Sequence, residues 1–134
     1  MDLRSGEIIA RVLLPARTTG WRDFYRKVGT RRAQAISKVC IAASILMDHS
    51  TVADIRIAMG SVAPCVVRCP AAESALRGRS IDYQSISDAT SALARDISPI
   101  DDLRSTAQYR LRVAQNLLAE FLSVPPGGRI PSPA

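Results

Sequence analysis

Residues 34–61 read QAISKVCIAASILMDHSTVADIRIAMGS. In the first half, Val39, Ile41, Ala43, Ile45 and Met47 share one parity, and Lys38, Cys40, Ala42 and Ser44 share the other. Side chains of a strand point to opposite faces in turn, so this alternation predicts a half-buried strand over residues 34–47. Asp48-His49-Ser50 is a polar turn. The alternation then resumes within Val52–Ser61: Ile55, Ile57 and Met59 face one way, Asp54, Arg56 and Ala58 the other. Two such strands joined by a short polar turn pair antiparallel. The sheet they begin has one apolar face, and the rest of the chain must cover it.

Upstream, Ile8, Ile9, Val12, Leu13 and Leu14 follow Gly6 and precede Pro15, which predicts a short strand ended by proline. Residues 16–20 form a loop. Trp21 to Lys27 reads as a helical turn, broken at Val28-Gly29-Thr30. Downstream, Ala63 to Cys69 predicts a third strand centred on Val66 and Val67, with Pro64 marking an edge.

Helices come next. Pro70 suits a first helical turn ahead of Ala71 to Leu76, and Gly78 stops that helix. Ser85 with Asp88 resembles a capping box before Ile86, Ala89, Leu93 and Ile97, which recur at helical spacing up to Ser98-Pro99. Ser105 with Gln108 resembles a second box before a last helix, whose stripe is Leu111, Ala114, Leu118 and Phe121. Strands first and helices afterwards predict an α+β fold: an antiparallel sheet of three to four strands with about three helices packed on one face. The expected division is one domain over residues 1–123 and a disordered Pro/Gly-rich tail over residues 124–134.

The length of 134 residues fits one core, and 4% aromatic content means that core is aliphatic. No apolar run approaches the roughly 18 residues needed to span a bilayer, and the N-terminus lacks a signal pattern. These features place the chain in the cytoplasm, off the membrane. The three cysteines, Cys40, Cys65 and Cys69, are an odd number, which argues against a disulfide framework. A net charge of +6 suits an acidic partner, an anionic cofactor or nucleic acid, and equally a solvated surface. One basic cluster stands out: Arg22, Arg26, Lys27, Arg31 and Arg32.

The parts of a self-sufficient enzyme are missing. The lone histidine, His49, falls in a turn without a nucleophile beside it. Cys65 and Cys69 would share one strand face but lack further metal ligands, so buried packing is expected for all three cysteines. Neither a G-x-G-x-x-G turn nor a Walker loop is present. Asp101-Asp102 reads as a helix cap or a partner for arginine.

Three ordered stretches nevertheless carry a resemblance. They are residues 24–39, FYRKVGTRRAQAISKV; residues 54–64, DIRIAMGSVAP, followed by Arg68 and residues 73–78; and residues 97–107, ISPIDDLRSTA, followed by Tyr109-Arg110 and Val113. Together they resemble the C-terminal domain of the FAD-binding (medium) subunit in the xanthine dehydrogenase and carbon monoxide dehydrogenase family of molybdenum hydroxylases, over roughly residues 5 to 122.

The resemblance implies a structural and subunit-docking domain that is not catalytic on its own. It supports electron transfer from iron–sulfur clusters through FAD to an external acceptor. The implied partners are the N-terminal FAD-binding portion of the same subunit, expected ahead of residue 1, and subunits holding the molybdenum and the iron–sulfur clusters. Substrate oxidation would then occur on another subunit, and this chain alone would not hold FAD. By the same resemblance, Ile9 packs beside the flavin and Lys27 lies close to it. A cation there would neutralise pyrophosphate or favour the anionic reduced flavin by Coulomb attraction. Plain core for Ile9 and a surface charge for Lys27 are the ordinary alternatives. A rival function is a stand-alone basic module for nucleic acid or a protein partner, without a redox role. The strands lack the interleaved aromatics that bases stack on, so nucleic acid is not expected. A homo-oligomer is compatible with the sequence.

Overall fold

The computed structural model describes residues 3–13, 16, 19–30 and 36–124. Its sheet is a four-stranded antiparallel meander in the order β1-β2-β3-β4. The strands are β1 (Trp21–Gly29), β2 (Ser37–Asp48), β3 (Thr51–Gly60) and β4 (Val67–Arg68). The helices are α1 (Pro70–Ser74), α2 (Tyr83–Leu93) and α3 (Ala107–Ser123).

The alternation in residues 37–60 does what period two requires. Val39, Ile41 and Ile45 of β2 and Ile55, Ile57 and Met59 of β3 are fully buried against the helices. Ile41 lies opposite Met59 and Ala43 opposite Ile57, so one apolar row continues into the next strand. The hairpin turns at His49, which takes a left-handed φ of 52°. That conformation is uncommon outside glycine, and an exposed turn histidine tolerates it.

Residues 21–29 form a strand, not the expected helical turn. Phe24 decides it: its ring is buried and lies 5.3 Å from the Phe121 ring of α3, centroid to centroid. Arg22 shares its inner parity, with its guanidinium 4.6 Å over the Phe121 ring and Nη1 donating to the Phe121 carbonyl at 2.9 Å. Partial burial lowers the Arg22 pKa, while the ring face and the carbonyl still give the cation partners.

The strand expected before Pro15 is not formed among residues 3–13. Ile8, Ile9, Val12 and Leu13 are exposed there, so Ile9 is not core in this chain. β-propensity cannot act without a partner strand to take the backbone hydrogen bonds. The third predicted strand contracts to Val67–Arg68 at the sheet edge, because residues 61–65 bend away after Gly60.

Both caps differ from expectation by a short shift. Asp82 caps α2 and forms the box with Ser85, donating and accepting reciprocally, so the box lies three residues ahead of the expected pair. Thr106 caps α3 by accepting from the Tyr109 N–H at 3.2 Å, one residue after Ser105. The α1 N-terminus is capped from a distance: Asp96 accepts from the N–H groups of Ala71 and Ala72 at 3.1 and 3.0 Å. The expected tail lies beyond the described residues apart from Val124.

Candidate cofactor and docking face

Among the described residues, the side of the sheet away from the helices is open. Register sets its rows. Asp23, Ser44 and Arg56 lie across β1, β2 and β3. Tyr25, Ala42, Ala58 and Arg68 lie across all four strands. Lys27, Cys40 and Gly60 form the next row. Small side chains in the middle leave a shallow depression of about 340 Å³ between Tyr25 on one side and Arg56 and Arg68 on the other.

Each flank is held in place. The Arg56 guanidinium lies 5.1 Å from the Trp21 ring centroid, and its Nε is 3.4 Å from Asp54 Oδ2. Ser44 Oγ donates to Asp23 Oδ1 at 2.6 Å. Arg68 is fixed by Glu73, whose Oε1 accepts from Arg68 Nε and Nη2 at 3.0 and 2.7 Å and from the Ile57 N–H at 2.7 Å. Glu73 Oε2 accepts from Arg77 Nη2 at 3.1 Å. A carboxylate only 3% exposed is tolerated because four donors meet it. Burial opposes ionisation of Asp54, but the Ile55 N–H with Arg77 and Arg56 outweigh it and hold that carboxyl below the usual range.

Strand parity divides the predicted basic cluster. Arg22 points to Phe121, and Arg26 Nη2 lies 3.3 Å from Glu120 Oε1 of α3, so both belong to the helical side. Lys27 falls in the outer-face row of β1, across from Cys40. Arg31 and Arg32 lie outside the described residues. Ile9 is in the N-terminal segment, outside the sheet, and 68% exposed.

The cysteines do not form a strand pair: Cys65 is exposed, Cys69 is buried and Cys40 is half-buried. The expectation of buried packing therefore fails for Cys65, which sits in the bend after β3. Burial, reinforced by Asp96 and Glu73, pushes the Cys69 thiol up to about 12, so it is inert near neutral pH. Among the described residues, no His/Cys/Asp/Glu group could hold a metal ion, and no helix is long and apolar enough to cross a membrane.

The aspartate pair braces the fold as expected. Asp101 Oδ1 accepts from the Ala107 N–H at 2.5 Å at the start of α3. Asp102 Oδ1 accepts from the N–H groups of Arg104 and Ser105, and its Oδ2 accepts from Arg110 Nη2 at 2.7 Å. The Arg104 N–H and Arg110 keep the Asp102 carboxyl below the ordinary carboxylate range. Arg110 also donates to the carbonyls of Lys38 and Ser61, tying α3 to the ends of β2 and β3. Sequence reasoning missed the Glu73 hub and the Arg56–Trp21 stack. The signal available for the first was Glu73 followed by Arg77 at helical spacing.

The described residues thus form a one-sided α+β layer whose outer sheet face is small in the middle and charged or aromatic at its flanks. A match to the family described as CO dehydrogenase flavoprotein C-terminal domain spans residues 24–124, and the chain belongs to that family. It is 31% identical over 119 residues to the nicotine 6-hydroxylase medium subunit of Paenarthrobacter nicotinovorans, covering 87% of this chain and 40% of that one. It is 28% identical over 123 residues to the carbon monoxide dehydrogenase medium chain of Hydrogenophaga pseudoflava, covering 90% and 42%. The fold matches a solved carbon monoxide dehydrogenase of Hydrogenophaga pseudoflava with a TM-score of 0.74 at 30% identity, over 79% of this chain and 37% of that one. The chain thus spans about two-fifths of the length of these medium subunits.

Proposed function

We infer that this chain is the C-terminal docking domain of a FAD-binding subunit in a molybdenum hydroxylase, cytoplasmic and supporting electron flow from iron–sulfur clusters through FAD. The observation that carries this reading is the family match over residues 24–124, in a chain that aligns along nearly all its length with only two-fifths of the medium subunits. The remaining length of such a subunit would supply the flavin-binding portion, and the molybdenum and iron–sulfur centres would sit on partner subunits. Bound FAD would supply a carrier that accepts and releases electrons singly or in pairs.

The chain's own residues suit one wall of a flavin site better than a whole one. The outer face offers aromatic rings at Trp21 and Tyr25 and a cation at Lys27. A planar, negatively charged cofactor is matched by such groups through ring contact and Coulomb attraction. Lys27 would sit close to the flavin and favour nearby negative charge. Ile9 would pack beside it once the N-terminal segment is covered. The exposed side chains of Ile8, Val12 and Leu13 support that cover, because an apolar segment of this kind gains by burial against another domain.

Flavin titration is the test, with the chain alone and with a separately expressed flavin-binding portion of a medium subunit. The chain alone is expected to leave flavin fluorescence and absorbance unchanged. The pair is expected to bind FAD, more weakly when Lys27→Ala is introduced. Tight binding by the chain alone would refute the non-autonomous reading.

A further inference from the structure

A second cavity, of about 330 Å³, opens where the ends of β2 and β3 meet the loop ahead of α3. Its polar lining includes Ser37, Ser61, Ser98, Asp102, Arg104 and Arg110, and the exposed Ile100 contributes an apolar wall. Arg110 is 5% exposed, and its three hydrogen bonds go to the Lys38 and Ser61 carbonyls and to Asp102. A guanidinium has five N–H groups, so one N–H of Nη2 remains for a ligand, while the Nε is sealed inside the fold without a hydrogen-bond partner among the described residues.

Charge at this place is positive. Both oxygens of Asp102 are engaged, by Arg110 and by two backbone N–H groups, so Asp102 balances Arg110. Arg104 adds a cation that no carboxylate meets among the described residues. The hydroxyls of Ser37, Ser61 and Ser98 have no hydrogen-bond partner among the described residues either. Ser61 is held at φ 65°, a left-handed conformation uncommon for a serine. Three hydroxyls and two guanidinium groups therefore line one hollow, and the hydroxyls, Arg104 and one Arg110 N–H are donors not spent within the fold.

We propose that this cavity binds a phosphate-class oxyanion carried on a small organic body. Donors on three separate segments suit a tetrahedral anion with several terminal oxygens better than a planar carboxylate, which a single arginine fork satisfies. The volume exceeds that of a bare phosphate, and Ile100 gives a carbon body a surface to rest on. The site is independent of the flavin reading, because it uses the end of the sheet rather than its open face.

The test is an NMR titration of the isotopically labelled 134-residue chain with inorganic phosphate at fixed ionic strength, and with acetate in parallel. Phosphate is expected to give saturable shifts confined to the N–H groups of Ser37, Ser61, Ser98 and Arg104. Acetate is expected to bind about tenfold more weakly, the scale of one lost charge-assisted hydrogen bond. Arg104→Ala, on an exposed side chain, is expected to weaken phosphate about tenfold while the thermal midpoint stays unchanged. Shifts that never saturate, or that spread over the surface, would mean an adventitious ion only. Unchanged affinity in Arg104→Ala, or acetate binding as tightly as phosphate, would equally overturn the proposal.

Discussion

On its inner side the sheet carries Val39, Ile41, Ile45, Ile55, Ile57 and Met59, all fully buried beneath the helices. On its outer side the same strands carry Ala42, Ser44, Ala58 and Arg56, with Tyr25 two-thirds exposed beside them. The inner face is large and aliphatic and depends on shape. The outer face is small in the middle and charged or aromatic at its flanks. Stability is therefore concentrated on one side of a layer one residue thick, and the other side is not constrained by the core.

Substitutions can break that contrast, and the largest effect is expected at Phe121. Its ring is fully buried, stacks on Phe24 and lies beneath Arg22. Phe121→Ala should cost about 3–5 kcal/mol in denaturant unfolding. A loss below about 1 kcal/mol would show that the helical side does not carry the fold. Next comes Glu73, which joins the buried layer to Arg68 at the rim of the open face. Glu73→Ala leaves the Ile57 N–H unpaired, while the half-exposed Arg68 and Arg77 regain water. About 2–3 kcal/mol is the expected loss, below the full value for a buried pair because those arginines are hydrated.

Gly60 tests the outer face itself. A Cβ added there would stand 2.6 Å from Cys40 Sγ. Gly60→Ala should cost about 1–3 kcal/mol as an overpacked contact. Adding Cys40→Ala should recover most of that loss, a coupling that a double-mutant cycle reads directly. The smallest effect is expected for Tyr25→Ala, within about 1 kcal/mol of the parent by the same unfolding measurement. The same variant should weaken FAD uptake by the reconstituted pair, so that docking and stability separate at one residue.

Much of the inner face was legible in the sequence, because Val39 to Ile45 and Ile55 to Met59 hold the apolar parity, which breaks only at Leu46-Met47, where the register shifts. The final helix was legible through Leu111, Ala114, Leu118 and Phe121, a stripe that survives in α3. β1 was not legible. Its inner positions hold Arg22 and Arg26 as well as Phe24, and only Phe121 and Glu120, far along the chain, make arginine acceptable there. The capping residues were misplaced because Asp82, Ser85, Ser105 and Thr106 are all competent caps, and the geometry of the entering loop selects among them. The open face had no signature, since Ala42, Ser44 and Ala58 are unremarkable until register brings them into neighbouring rows. Lys27 and Ile9 came from the family resemblance, and flavin titration is the measurement that bears on them.

The link between Arg22 and the Phe121 carbonyl joins groups 99 positions apart. It carries a consequence for synthesis. When β3 has left the ribosome, the apolar side of the sheet is complete in sequence but has nothing over it. Its cover from α3 is encoded only at residues 107–123. The early strands must wait for α3, and a nascent chain stalled before Ala107 would present Ile41, Ile45 and Ile57 to chaperones rather than to a core.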